Sequence, residues 1–218
     1  MDKNRKHIVF DLDGTIIDSR NEILETYQEV FNKYKPRTSV DVQDLNYGAT
    51  IHGILNFVYN DDVSMVEKAK KYFSSIYDSS EFAQTNLYNG VIKTLNLLKG
   101  EKYKLYVATN KRYIPTLRIL RKKNISDYFS EVIANEMQPG IIVPKHQMLT
   151  ILMEKHSFTD GFFIGDTLSD MEAGKKQNLQ TIAASYGYGN MDIFTPENSN
   201  YIINSFEDIV EILKLRKS

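Results

Sequence analysis

The chain has 218 residues, 42% hydrophobic and 25% charged, with 27 Lys and Arg against 28 Asp and Glu for a net charge of -1. That length allows one domain with a substantial core, or one domain carrying a smaller insertion, and the even charge balance leaves no nucleic-acid footprint. The absence of cysteine excludes disulfides, thiolate catalysis and cysteine zinc sites.

The first predicted element is the apolar run Ile8-Val9-Phe10, which reads as a strand and ends in Asp11-Leu12-Asp13-Gly14. The run is too short for a signal peptide. No stretch further along approaches the ~18 apolar residues that span a bilayer, so the expected setting is the cytoplasm with no membrane partner. Asp18 or Ser19 is placed to cap a helix, whose apolar face repeats through Ile23, Leu24, Tyr27, Val30, Phe31 and Tyr34 until Pro36. Ile51, Ile54, Leu55 and Val58 give a second helix. Val63, Val66, Ala69, Phe73 and Ile76, after the capping pair Asp61-Asp62, give a third. Residues 16–85 are therefore expected to be all-helical.

From residue 86 the pattern alternates. Helix 91–99 precedes the strand "KLYVATN" (104–110), helix 113–123 precedes "EVIAN" (131–135), and helix 145–156 precedes "GFFIGD" (161–166). Helix 168–177 precedes "LQTIAAS" (179–185), and a last strand, 201–203, leads into helix 206–215. Short strands that are apolar on both faces and alternate with helices predict a parallel sheet sandwiched by helices. The predicted architecture is thus α/β and Rossmann-like, built from 1–15 and 86–218, with 16–85 as an inserted helical domain. In such a sheet the ligand crevice lies beyond the carboxyl ends of the strands.

What stands at those ends is distinctive. The first strand ends in Asp11 and Asp13, which strand periodicity puts on one side with Leu12 opposite. The second ends in Thr109-Asn110, and the fourth in Asp166-Thr167 with Asp170 one turn on. Asp, Asn and Thr after a strand also serve as caps and turn formers, so no one of them singles out chemistry. Acids converging on one crevice repel one another, which raises their pKa values and destabilises the fold. A hard divalent cation bound by carboxylate and carbonyl oxygens would relieve that repulsion, and magnesium suits a phosphate-handling site.

"DLDGT", "TN", a lysine before a helix and "GDTLSD", in this order, resemble the four motifs of the haloacid dehalogenase-like superfamily, and the helical insertion resembles its small α-helical cap. "TNK" (109–111) and "GDTLSDMEAGKKQNLQTIAASYGYG" (165–189) are similar to its phosphoglycolate-phosphatase-like group. The resemblance implies a phosphatase of small phosphate monoesters working through an aspartyl-phosphate. Asp11 would be the nucleophile, and Asp13 the acid that protonates the leaving alcohol and later activates water. Mg²⁺ would be held by Asp11, the backbone carbonyl of Asp13 and Asp166, with Asp170 as ligand or supporting residue. Thr109 and Asn110 would hydrogen-bond the phosphoryl oxygens. A phosphate dianion among four acids needs more positive charge than one Mg²⁺ supplies, and the family's answer is a lysine, here Lys145, preceded by Pro144 and followed by His146.

The resemblance further implies a small phosphorylated metabolite as substrate, with the chain a monomer or homodimer and the cap loop "NYGAT" (46–50) facing the substrate. A phosphomutase on the same scaffold is the nearest alternative. A receiver-type signalling domain also groups acids at strand ends, but its phospho-accepting Asp comes later in the chain and it carries no helical cap. "GYG" (187–189) lacks the third glycine of a dinucleotide fingerprint and reads as a turn. The histidines show no metal-ligand spacing.

Overall fold

A computed structural model describes residues 6–36, 40–42, 45, 50–138, 140–189 and 194–214. In chain order the elements are β1 (His7–Phe10), β2 (Ile17–Asp18), α1 (Arg20–Lys33), α2 (Ile51–Val58), α3 (Val63–Ser79), β3 (Asn86–Leu87) and α4 (Val91–Gly100). There follow β4 (Lys104–Arg112), α5 (Tyr113–Lys122), β5 (Phe129–Asn135), α6 (Lys145–Lys155), β6 (Phe162–Gly165), α7 (Leu168–Lys176), β7 (Gln180–Ala184), β8 (Tyr201–Ile203) and α8 (Ile209–Ile212). The chain divides into two compact units, Met1–Asp18 with Leu87–Ser218, and Ser19–Asn86.

The first unit is built on a six-stranded sheet in the order β5-β4-β1-β6-β7-β8, with every neighbouring pair parallel. β1 is central because the chain adds β4 and β5 on one side and then returns to lay β6, β7 and β8 on the other. That reversal beside β1 opens a crevice at the carboxyl ends of the strands. Both sheet faces are covered. Val9 and Phe163 pack with Met148, Leu149 and Leu152 of α6 and Ala173 of α7, while the Phe10 ring stacks on Phe206 with centroids 5.7 Å apart. Burial on both faces is why these strands read as continuous apolar runs rather than alternating ones.

The second unit is helical, with α1 and α2 both packed on α3. Its core is aromatic. Tyr27 lies 4.6 Å from Phe73, Phe73 stacks on Tyr77 at 5.5 Å, and Phe31 meets Tyr59 edge-on at 6.3 Å. The Tyr59 hydroxyl donates to the Tyr34 carbonyl at 2.5 Å, which ties α2 to the end of α1. Asp62 caps α3 by accepting from the Met65 amide.

Three sequence expectations differ from what is observed. Ser19 is the residue before α1, but its side chain makes no capping bond; its backbone (φ -108°, ψ 9°) is outside the extended region from which a hydroxyl reaches back to the first turn. Residues 16–85 are not wholly helical, since Ile17–Asp18 forms a short strand. The last helix is split, a 3-10 turn at Phe206–Asp208 followed by α8. Of the loop 46–50, residues 46–49 lie outside the described residues, and Thr50 caps α2 by accepting from the Gly53 amide.

Candidate active site

The strand ends bring most of the predicted residues together. Phe10 pairs with Val107 of β4 and Ile164 of β6, and the Asp11 amide continues the ladder by donating to the Ile164 carbonyl at 2.8 Å. Asp11 therefore leaves β1 where β4 is about to present Thr109 and β6 Asp166. Asp11, Asp166 and Asp170 are all buried, and each offers a carboxylate oxygen within 4.8 Å of the other two.

Each acid is held by its own local structure. Asp170 forms a capping box with Thr167 at the start of α7: Asp170 Oδ2 accepts from the Thr167 amide at 3.1 Å and from its hydroxyl at 2.6 Å. This leaves Oδ1 facing the crevice, 3.0 Å from Lys145 Nζ. Asp166 Oδ2 accepts the Tyr188 amide at 2.7 Å, and its Oδ1 accepts weakly from Thr15 Oγ1 at 3.4 Å. Gly14 (φ +78°) and Gly187 surround this carboxylate so closely that a Cβ on either would lie 2.1 Å from Asp166 Oδ2 or 2.3 Å from Asp166 Cβ. The 187–189 turn is thus a wall of the site as well as a turn.

Lys145, the first residue of α6, is buried and reaches Asp11 Oδ1 at 2.5 Å. Burial by itself lowers the pKa of an ammonium, but the charges of Asp11 and Asp170 and their hydrogen bonds outweigh it and push Lys145 above its ordinary value. It is a permanent cation. Among the acids the balance runs the other way. Burial raises Asp11 to about 7 against the pull of Lys145, with the neighbouring Asp170 and Asp13 adding to the rise. Asp166 is raised well above its ordinary value by burial and by the charges of Asp11 and Asp170, only partly offset by the Tyr188 amide and Lys145. One lysine does not neutralise this trio. Buried carboxylates with raised pKa values and hard oxygen donors are a setting that a hard divalent cation fits.

Asp13 stands apart from the trio. Its carboxylate receives Lys111 Nζ at 2.9 and 3.2 Å. Thr109 is buried near the end of β4, opposite Ala134 of β5, and its Oγ1 accepts the Lys111 amide at 3.1 Å. The Asn110 carbonyl accepts from Asn135 Nδ2 at 3.0 Å, while Asn135 Oδ1 accepts the Val143 amide at 2.8 Å. Asn135 therefore ties the Thr109-Asn110 segment to the loop that delivers Lys145.

Sequence reasoning missed Lys111, Asn135 and the Tyr188 amide as parts of this site. Lys111 had a visible signal, as the residue directly after Thr-Asn at a strand end. Asn135 had a fainter one, as the polar residue closing "EVIAN".

The chain matches the model of the haloacid dehalogenase-like hydrolases over residues 8–184. It is 26% identical over 223 residues to a phosphoglycolate phosphatase of Photobacterium profundum, covering 96% of each chain. It is 29% identical over 215 residues to one of Aquifex aeolicus, covering 94% of this chain and 95% of the relative. A solved structure from Clostridium acetobutylicum, described as a predicted phosphatase, superposes with a TM-score of 0.86 at 26% identity over 97% of this chain and 99% of that one. No helix among the described residues is long and apolar enough to cross a membrane. The acidic strand ends, the α/β core and the match over most of the chain lead to one statement of kinship: this chain belongs to the haloacid dehalogenase-like hydrolase family.

Proposed function

We propose that the chain is a Mg²⁺-dependent phosphatase of a small phosphate monoester, phosphoglycolate-like or a sugar phosphate, acting through an aspartyl-phosphate. The observation that carries this reading is the division among the acids: Asp11 buried with Asp166 and Asp170, and Asp13 held apart on Lys111. The names of the curated relatives support the substrate class.

In this reading Asp11 attacks phosphorus and the bond to the leaving oxygen breaks. Asp13 gives that oxygen its proton, so the leaving group departs as a neutral alcohol. Water then attacks phosphorus, its proton goes to Asp13, and the bond to Asp11 breaks to release inorganic phosphate. Lys145 and the Thr109-Asn110 segment orient the phosphoryl oxygens. Mg²⁺ would be held by Asp11, Asp166 and the Asp13 carbonyl, with Asp170 as ligand or supporting residue, and would offset the charge of the acids and the phosphate dianion. The helical unit resembles the family's small cap, a type of domain that in such enzymes limits substrates to compact ones and excludes water. The substrate is a small phosphorylated metabolite rather than a nucleic acid, met in the cytoplasm by a monomer or homodimer.

The test is phosphate release from 2-phosphoglycolate, hexose phosphates, nucleotides and pyrophosphate by protein stripped with EDTA, before and after adding Mg²⁺. Turnover of a monoester only with Mg²⁺ is expected. Metal-independent turnover would overturn the metal assignment, and an isomeric sugar phosphate in place of free phosphate would make the chain a mutase.

A further inference from the structure

β4 does not end as a regular strand. Its pairing with β5 runs Thr109 to Ala134 and then jumps from Arg112 to Asn135, so Asn110 and Lys111 stand outside the ladder as a bulge. Bulges next to active sites re-aim side chains, and this one is fully braced. The Thr109 hydroxyl accepts the Lys111 amide, and Asn135 Nδ2 donates to the Asn110 carbonyl. The result is a lysine whose side chain is only 6% exposed and whose Nζ straddles both oxygens of Asp13. A buried ammonium is very unfavourable without a partner, and charge-assisted bonds of this length are about twice as strong as neutral ones. The pair is therefore a firm constraint on the Asp13 side chain, unlike an exposed ion pair.

We propose that Lys111 is the positioning residue for Asp13, its ammonium holding the carboxyl where it can exchange a proton with the leaving oxygen. The inference rests on the proton-transfer role of Asp13 proposed above. Two consequences follow from the geometry. The Asp13 side chain is kept out of the Asp11, Asp166 and Asp170 trio, so a cation bound there does not draw it in. The Asp13 side chain also keeps one rotamer whether or not substrate is present, as proton transfer in a crowded site requires.

The test uses two esters of similar size, phenyl phosphate, whose leaving oxygen needs a proton, and 2,4-dinitrophenyl phosphate, whose leaving oxygen does not. The quantity read is kcat/KM, which reports only the steps up to loss of the leaving group. Lys111→Met should lower kcat/KM for phenyl phosphate by ~10²-fold and for the dinitrophenyl ester by less than about threefold, the pattern of lost acid catalysis. Lys111→Arg should recover part of the loss, and adding Lys111→Met to Asp13→Asn should cost nothing further with phenyl phosphate. Thermal melts accompany each variant, and Lys111→Gln is measured alongside so that one unfolded protein does not decide the matter. Equal losses on the two esters, no loss on either, or a full additional loss in the double variant would overturn the proposal. If Asp13→Asn itself treats the two esters alike, the proton-transfer role of Asp13 fails first and Lys111's role fails with it.

Discussion

The two ends of the central strands β1 and β4 are built from similar kinds of residue to opposite effect. At the carboxyl ends Asp11, Asp166 and Asp170 share one buried lysine, and burial raises the pKa values of Asp11 and Asp166. At the amino ends His7 stacks on Phe158 at 4.3 Å and meets the Tyr106 hydroxyl at 3.0 Å, and Tyr106 in turn lies 4.6 Å from His156. Glu131 there is only partly buried. Burial would raise its pKa, but bonds from Lys155 at 2.6 Å and His156 at 2.8 Å outweigh that and bring it below its ordinary value. Charge at the amino end is matched by partners; charge at the carboxyl end is left in excess. Perturbed groups that remain unbalanced inside a crevice mark chemistry, whereas a balanced ion cluster marks packing.

The sharpest way to break that comparison is to remove one acid from each end. Asp11→Asn should abolish phosphate release, by at least ~10³-fold, because under the proposed mechanism it removes the attacking oxygen while keeping the shape. Glu131→Gln should leave kcat/KM within about twofold, since an exposed-side ion pair contributes little. Comparable losses in both would mean that the amino-end cluster belongs to the catalytic apparatus.

A smaller effect, of opposite sign, concerns stability without metal. Burial raises the folded pKa of Asp11 from its ordinary 3.8 to about 7, so the folded state binds the extra proton across that interval. Its contribution is therefore most favourable below pH 3.8 and is lost as pH rises toward 7. Asp11→Asn should then raise the Tm of EDTA-treated protein at neutral pH by about 3 °C or more and flatten the Tm-versus-pH curve between 4 and 7. A lower Tm in the variant would show that Lys145 more than offsets the crowding of the acids.

The contrast between the ends also separates what was legible from what was not. Asp11, Asp13 and Asp166 stood out because an apolar strand that stops on an acid announces both its register and its end, with Asp170 one turn on; their grouping as a site came with the family resemblance. Lys145 followed from the family resemblance, with the charge balance as a check on it. Lys111 did not follow, although it was in view, because a bulge between Thr109 and Arg112 leaves no trace in hydrophobic periodicity. The Gly187 and Gly189 positions were read as a turn, since what they satisfy is space: a Cβ on Gly189 would lie 2.0 Å from the Asp166 carbonyl oxygen, a contact between segments distant in sequence. Local grammar reveals residues that end elements, and three-dimensional proximity decides which of them meet. The capping expectation at Ser19 failed for a related reason, since residue type was right and backbone angle was not.

The smallest expected effect lies at the amino end and has the opposite pH sign to Asp11. Burial lowers the His7 pKa below 6.5, aided by His156 and Lys104 and opposed by Asp160. The unfolded chain then binds the proton more readily, so stability is full above about pH 6.5 and is lost as pH falls through the folded pKa. His7→Phe keeps the stack on Phe158 and removes the titration, although it gives up the contact with Tyr106. In the Asp11→Asn background, the urea midpoint should accordingly change less between pH 7.5 and 5.5 with His7→Phe than without it, whatever its absolute value. Measuring both in the Asp11→Asn background removes the opposing slope of the carboxyl end, so that an undiminished pH dependence in the double variant would show His7 to be unperturbed by its stack. Because the two ends titrate in overlapping windows with opposite signs, the single-site variants are needed to see either.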